Sequence, residues 1–585
     1  MTVDLNLTLE PATASTSTVD PITIEILWAR LISIVEESES VIVRTSFSPS
    51  IAESDDHSSA LLDRHGRLLA QTPSAMPAFI GILDNTTRIL LEHYPPETLE
   101  PGDVLCTNDP WICCGHLNDL NVLRPIFYKG KIVAFTANTA DIGDIGGIGT
   151  IEARDLYEEG IRILPSKLVR AGVPNEDIFK FFKANSRVPE QVIGDINAML
   201  AGAEMAEKRF IEMLEEYELD DINEISDEIQ TRTERAMREA ISKLPDGDYF
   251  GHVTSDGYPD PIELKVKVTI AGDEVIIDFD GTSPQVPYAV NCPLSLTYAE
   301  SLWPIRVAIG ADIPATNGSL KPITVKAPEG SILNPRFPAP VHQRTTIVHN
   351  AQAPIFQALS TLVPEHIHPS RVQANGGCIK GFSMKGTWSE AQKPEWATGA
   401  RFAFGYLANG GQGGTGATDG HACMSYPDNC ANVPIEVVEA RSPVLFLRKE
   451  ITVDSEGAGK FRGGPGQSID VLVRNDDGLR FGPVCGDKTQ HPPAPLAGGQ
   501  PGGLGHFGVN GESTGLRPVW VNKGDIINFR APGGGGYGNP LERDPEAVRN
   551  DVRKGFITPE RARTVYGVDV DDLVAGSTVK EAPMS

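Results

Sequence analysis

Two short segments concentrate side chains able to hold a metal ion. The first is Asp109-Pro-Trp-Ile-Cys113-Cys114-Gly-His116-Leu-Asn-Asp119, and the second is Asp141-Ile-Gly-Asp144-Ile-Gly146-Gly147. Between them runs NVLRPIFYKGKIVAFTAN (121–138), with Lys129-Gly130 separating two apolar stretches, the pattern of a β-hairpin. If that run pairs with itself, both segments fall at one end of it, and His116, Asp119, Asp141 and Asp144 come within reach of one centre. One imidazole with two or three carboxylates suits a hard-to-borderline divalent ion, with Mn²⁺, Zn²⁺ or Fe²⁺ ahead of Mg²⁺. An ion with open positions polarises a carbonyl or lowers the pKa of bound water. The glycines after Asp144 permit close backbone approach and unusual dihedrals. The same residues also fit aspartates capping their own loops in surface turns. Cys113 and Cys114 could be soft ligands beside His116, but neighbours on an extended chain point to opposite sides, which favours small buried residues. Upstream, Glu53-Ser-Asp55-Asp56-His57 offers Asp56 or Glu53 as a general base if burial raises its pKa; a solvated acidic turn fits equally.

The elements that must position these groups are partly visible. Thr23 to about Glu37 carries apolar residues at Ile24, Leu27, Leu31 and Ile34–Val35, the spacing of an amphipathic helix, with Asp20 as cap and Pro21 in the first turn. The runs VIVRTSF, SSALLDRHGRLLAQ (turning at His65-Gly66) and VLCTND have strand character. Residues 203–244 are helix formers that predict two long helices broken near Asp220-Asp221. From about Asp246 short strands take over (IELKVKVTI, a turn, VIIDFDG), and 34 of the 58 glycines fall within residues 376–538. The tail after 545 predicts two short helices. The expected class is α+β: a multi-domain, mixed α/β chain with a helical middle segment and a β- and Gly-rich C-terminal half. The expected divisions are a loose leader (1–20), an N-terminal α/β domain with the metal site (21–200), a helical segment (201–245), a β-rich central domain (246–440), a Gly-rich β domain (441–545) and a helical tail (546–585).

Composition narrows the function classes. Lys+Arg 51 against Asp+Glu 78 gives a net charge of −27 over 585 residues, which argues against a nucleic-acid or anionic-membrane surface. The N-terminal run lacks the basic and apolar regions of a secretory signal, and no stretch of 18 apolar residues predicts a membrane span. The 8 cysteines, with no CxxC pair, are too dilute for a disulfide scaffold, so a cytoplasmic protein with reduced thiols is expected. Gly411-Gln-Gly413-Gly-Thr-Gly416 matches GxGxxG, but the poor helix formers after it disfavour a dinucleotide site. Gly482-Pro-Val-Cys-Gly-Asp-Lys488-Thr489 fails the P-loop spacing, so no ATP site is visible.

The chain resembles the hydantoinase B/oxoprolinase family over about residues 20–570. The residues that carry the resemblance include ESDDHSSALLD (53–63), Asn108-Asp109-Pro110, His116-x-x-Asp119, Asp144-x-Gly146-Gly147 and Glu158-Glu159-Gly160. Further on, Asp312-Ile-Pro-x-x-Asn317-Gly318-Ser319-Leu320, DSEGAGKFRGGPG (454–466) and PGGGGYGNPLERDP (532–545) belong to the same pattern. The resemblance implies a subunit without its own ATP site, assembled in a hetero-oligomer with a hydantoinase A-like ATPase subunit that holds ATP and Mg²⁺. It implies a His/Asp metal centre from the HxxD and HxxDxGG segments, onto which His116, Asp119 and Asp144 fall. Position 141, usually His in such proteins, is Asp141 here, and Phe79 stands where many relatives carry His. The expected activity is ATP-dependent ring opening of a cyclic amide such as a hydantoin, oxoproline or lactam, with water activated by the metal or by Asp56. A ketone carboxylase subunit and a silent assembly subunit are the alternatives.

Overall fold

The computed structural model describes residues 20–360, 362, 382–397, 399–424, 429–486 and 488–571. The expected leader, apart from Asp20, lies outside the described residues, as do Asp487 of the P-loop-like run and the last part of the tail.

Helix α1 (Pro21–Thr45) begins as its sequence dictates: the Asp20 carboxylate accepts from the Thr23 N–H at 3.2 Å, with proline at the first helical position. It runs eight residues beyond Glu37 and absorbs Val41–Thr45, which the sequence placed in a strand. Tertiary packing overrides the β preference of Val-Ile-Val. Ile42 stays in register with Leu31, Val35 and Ser38 on the buried face of α1. That face lies on a long helix, Pro189–Glu216, so closely that a Cβ at Gly202 would stand 2.6 Å from the Ile42 side chain. Ser38 Oγ donates to the Gly202 carbonyl at 2.9 Å. The short helix α2 (Pro49–Ala52) follows, then α3 (Leu83–His93), α4 (Glu176–Asn185), the long helix α5 (Pro189–Glu216) and α6 (Asn223–Ile241). The break between α5 and α6 falls at the expected aspartates. However, α5 starts at Pro189, so a division of the chain at 200 would cut a continuous helix.

The first sheet is antiparallel throughout. It comprises β1 (His57–Asp63), β2 (Leu68–Gln71), β3 (Val104–Thr107), β4 (Asp119–Tyr128), β5 (Lys131–Asp141), β6 (Ser166–Arg170) and β7 (Val173–Pro174), in the order β2-β1-β5-β4-β3-β6-β7. The expected β4–β5 hairpin forms. Lys129 and Gly130 both adopt positive φ (49° and 78°), the geometry that matches a tight turn to strand twist. Alternation along the strands sorts the two faces. Leu120 and Val122 join Val192, Ile196 and Met199 of α5, whereas Leu123, Phe135 and Ala137 join Leu83 and Leu90 of α3.

A second sheet has the order β11-β10-β9-β8, built from β8 (Gly247–Ser255), β9 (Ile262–Ala271), β10 (Glu274–Asp278) and β11 (Ile323–Lys326). Helices α7 (Leu294–Ile309), α8 (Asn317–Leu320) and α9 (Thr345–Leu359) accompany it. Gly251 of β8 lets α9 approach to where a Cβ would stand 1.8 Å from the Pro354 carbonyl.

The C-terminal half contributes β12 (Phe382–Thr387), β13 (Arg401–Tyr406), helix α10 (Ile435–Arg441), β14 (Val444–Ile451), β15 (Gln467–Val473) and β16 (Leu479–Pro483). It continues with β17 (His506–Val509), β18 (Glu512–Ser513), β19 (Val519–Val521) and β20 (Ile526–Arg530), and ends in α11 (Pro545–Arg553) and α12 (Pro559–Thr564). These strands form two antiparallel sheets, β13-β12-β16-β19 and β14-β15-β20-β17-β18. Because β12 pairs with β16, a domain division at residue 440 would cut a sheet. Long-range pairing of this kind leaves no local sequence signal.

The glycine surplus has a steric cause. Loops around 411–420, 457–466, 500–503 and 532–536 pack backbone against backbone. Gly411 N–H donates to Pro532 O at 2.8 Å, Gly457 N–H to Gly534 O at 2.7 Å and Gly464 N–H to Gln412 O at 2.7 Å. A Cβ at Gly534 would stand 2.0 Å from Gln412 O, and one at Gly463 would stand 1.9 Å from Gly534 O. The GxGxxG run belongs to this stack. No helix among the described residues is long and apolar enough to cross a membrane.

Candidate metal centre

The hairpin places Asp119 and Asp141 directly opposite one another at the open end of β4 and β5. His116 arrives from the loop before β4, and one ligand atom from each of His116, Asp119 and Asp141 lies within 4.8 Å of the others. The loop is clamped by Asn108, whose side-chain amide donates to Leu117 O at 2.7 Å and to Ile161 O at 3.0 Å, while its carbonyl oxygen accepts from Ile163 N–H at 2.6 Å. His116 Nε2 sits 2.9 Å from Asp119 Oδ2, and Arg344 Nη2 donates to the same oxygen at 2.8 Å. Arg344 Nε donates to Cys114 O at 2.9 Å, tying the loop to the segment that opens α9. Asp119 is 1% exposed and His116 is 6% exposed, so these two are shielded from bulk solvent, whereas Asp141 is half-buried.

Crowding of carboxylates sets the electrostatics. Burial, and then the charges of Asp56 and Asp119, push the Asp141 carboxyl up to about 8. Its backbone N–H donates to Asp56 O at 3.2 Å, and its Oδ1 accepts from Gly143 N–H at 2.9 Å. An imidazole and two carboxylates converging at one place, with one carboxyl held protonated by burial and by its neighbouring carboxylates, fit a divalent cation. His116, Asp119 and Asp141 would hold it.

The other sequence-derived candidates fall in different places. Asp144 lines the same cavity, but its carboxylate is engaged by Arg187: Nη1 donates at 2.5 Å, and the backbone N–H of Arg187 and the Ser186 hydroxyl also donate to it. It stands outside the three-residue group. Asp56 lines the cavity; Glu53, at the end of α2, does not. Gly146 and Gly147 have φ of 88° and 63°, and a Cβ at Gly147 would stand 2.2 Å from the backbone of Glu159. Cys113 and Cys114 are fully buried, with thiols pushed well up by burial, and they pack as small core residues.

The cavity has a volume of about 180 Å³ and receives walls from three parts of the chain. The end of β5 and the loops flanking the first sheet supply Asp141, His116, Asp144 and Asp56. Met76 and Phe79 supply apolar surface. The remaining lining, which no sequence motif marks, includes His342, Arg344 and His349 around the start of α9, with Lys385 on β12. The rings of His342 and His116 lie 6.2 Å apart. Burial, then the charges of Lys385 and His116, hold His342 well below its usual range, so it is neutral. Glu159 fixes that segment by accepting from the N–H groups of Val341 (2.6 Å) and His342 (2.8 Å). One signal could have found this wall. Helix α9 is buried along nearly its whole length yet carries Thr345, Thr346, His349, Asn350 and Gln352, more polar groups than a core helix needs.

With this fold and cavity in view, the family follows. Residues 20–540 match the Hydantoinase B/oxoprolinase family model, so the chain belongs to that family. A putative D-/L-hydantoinase component of Pseudomonas sp. (strain NS671) is 31% identical over 95% of this chain and 96% of its own length. The beta subunit of caprolactamase from Pseudomonas jessenii is 30% identical over 95% of this chain and 97% of its own. The crystal structure of the ATP-dependent caprolactamase from Pseudomonas jessenii superposes with a TM-score of 0.85 at 27% identity, covering 95% of this chain and 97% of that one. A nucleotide-free acetone carboxylase structure shares the fold, with a TM-score of 0.81 at 18% identity over 94% of this chain and 79% of that one. The mixed α+β architecture expected from sequence is therefore that of these proteins.

Proposed function

We propose that this chain is the metal-binding subunit of an ATP-dependent hydrolase that opens a cyclic amide, such as a hydantoin, oxoproline or lactam, and that it works with a separate ATPase subunit. The observation that carries the reading is the convergence of His116, Asp119 and Asp141 at a cavity that His116 and Asp141 line, in a chain whose full-length relatives are named for hydantoins and caprolactam. A divalent ion of the Mn²⁺, Zn²⁺ or Fe²⁺ type would supply Lewis acidity there.

The residues of the chain do the rest. An unstrained amide is a poor electrophile, and phosphorylation of its oxygen by the ATPase partner would activate the ring carbon. Met76, Phe79 and Leu407 offer the ring an apolar surface and exclude bulk water. Asp56, beside Asp141 at the cavity wall, accepts a proton from the attacking water. Asp141 holds a proton near neutral pH in the metal-free chain and would lose it to solvent when a cation binds. After addition of water, the C–N bond breaks, the ring nitrogen takes up a proton, and phosphate is released as the acyl phosphate hydrolyses.

The test is an assay of the chain with its ATPase partner on hydantoin, 5-oxoproline and caprolactam, following ring opening and ADP together. Coupled appearance of both supports the reading. ADP formed only with bicarbonate and a methyl ketone would replace it with a carboxylase, and silence with every substrate would leave an assembly role.

A further inference from the structure

The cationic groups around the cavity are nearly all spoken for, and one is not. Arg187 is held by Asp144 and by the Gly147 carbonyl. Arg480 pairs with Glu152 at 2.9 Å, and Arg344 is held by Asp119 and Cys114 O. Lys385, on β12, lines the cavity, and its Nζ has no hydrogen-bond or ion-pair partner among the described residues. Burial lowers its pKa to about 8. A lysine ammonium in such surroundings costs several kcal/mol unless an anion meets it.

The backbone makes room for this ammonium. Gly149, at φ +57°, leaves its Cβ position empty, and a Cβ there would stand 2.3 Å from Lys385 Nζ and 3.8 Å from His342 Nε2. Nζ and Nε2 therefore converge on one spot that a side chain at 149 would fill. His342 is neutral and keeps one N–H to donate, and its Nδ1 is buried with no hydrogen-bond partner among the described residues.

We propose that Lys385 and His342, brought together over Gly149, form an oxyanion subsite that anchors an anionic group of the substrate. The ligand is a phosphoryl group or a carboxylate: the phosphoryl on an activated amide oxygen, or a carboxylate attached to the ring. The subsite deepens the ring-opening reading and rests on it only for the identity of the molecule that carries the anion. Lys385 supplies charge and a donor, His342 a neutral donor, and Gly149 the space.

Calorimetric titration of the full-length, chelator-treated chain with inorganic phosphate at pH 7 tests this, alongside Lys385→Met, Lys385→Arg and Gly149→Ala, each checked for an intact thermal transition. Phosphate is expected to bind the unaltered chain. Lys385→Met is expected to weaken it about tenfold to a hundredfold, the worth of a hydrogen bond to a charged group. Lys385→Arg should keep most of the affinity, and Gly149→Ala should lose it by displacing Nζ. Equal binding by Lys385→Met, or no binding by the unaltered chain, overturns the proposal. In the assembled enzyme, a fall in kcat/KM for Lys385→Met on lactams with and without a ring carboxylate assigns the subsite to the phosphoryl group. A fall confined to carboxylated substrates assigns it to the carboxylate, and no fall on either overturns it. If no cyclic amide is opened at all, the ring-opening reading fails and the phosphate titration still decides the subsite.

Discussion

Asp141→Asn is expected to stabilise the metal-free protein while removing its affinity for metal. In the folded chain the Asp141 carboxyl is raised from an ordinary 3.8 to about 8, first by burial and then by Asp56 and Asp119. Between those two values the native state keeps a proton that the unfolded chain has lost. Its contribution is intact below about pH 4 and drains away as pH rises toward 8. A shift of about four units at about 1.4 kcal/mol each sets a ceiling of roughly 6 kcal/mol. The carboxyl is partly open to the cavity, and screening there brings the expected effect to about 2–3 kcal/mol. Asparagine mimics the protonated acid in shape and lacks the charge. Urea unfolding of chelator-treated protein should therefore show Asp141→Asn more stable by that amount at pH 8 and nearly equal to the original at about pH 4, with the difference growing between the two. Adding Mn²⁺ should reverse the order at pH 8, since an ion at a thousand times its Kd stabilises the intact site by about 4.1 kcal/mol. A variant no more stable than the original at pH 8 in chelator would refute the electrostatic reasoning.

Three further outcomes are expected. Asp56→Asn should lower kcat about a hundredfold or more with little change in KM and none in metal content, as measured by steady-state kinetics and elemental analysis. Arg344→Met leaves the buried Asp119 without its cation and should lower the chelated protein's stability by about 3 kcal/mol, while Mn²⁺ produces a larger rise in Tm than in the original; equal rises would count against competition for Asp119 Oδ2. Gly534→Ala, whose Cβ would stand 2.0 Å from Gln412 O, should abolish soluble expression or lower Tm by many degrees, whereas Gly524→Ala, with nothing within 4 Å, should cost only the strain of its φ of 93°.

What was legible in the sequence was local. The Lys129-Gly130 turn and the apolar runs on either side fixed the β4–β5 hairpin, and the hairpin in turn required Asp119 and Asp141 to meet. Asp20, Pro21 and the apolar spacing marked the start of α1, but not its end, because Ile42 answers to Gly202 of a helix some 160 residues away. Asp144 was grouped with its neighbours by spacing alone; its partner, Arg187, lies 43 positions on and no periodicity connects them. The wall carrying His342, Arg344 and Lys385 was missed for the same reason, since it is assembled by sheets that pair across long stretches of chain. Glycine richness was visible as a regional excess, while its cause, backbones too close for a Cβ, belongs to the packed structure.

The most direct test of the central claim is the metal content of the purified chain, measured by elemental analysis beside Asp119→Ala and His116→Ala, with ring opening followed on the same samples. About one divalent ion per chain is expected, lost together with activity in both variants while the thermal transition persists. Ring opening at full rate in chain free of divalent metal, or an ion retained undiminished in both variants, would contradict it.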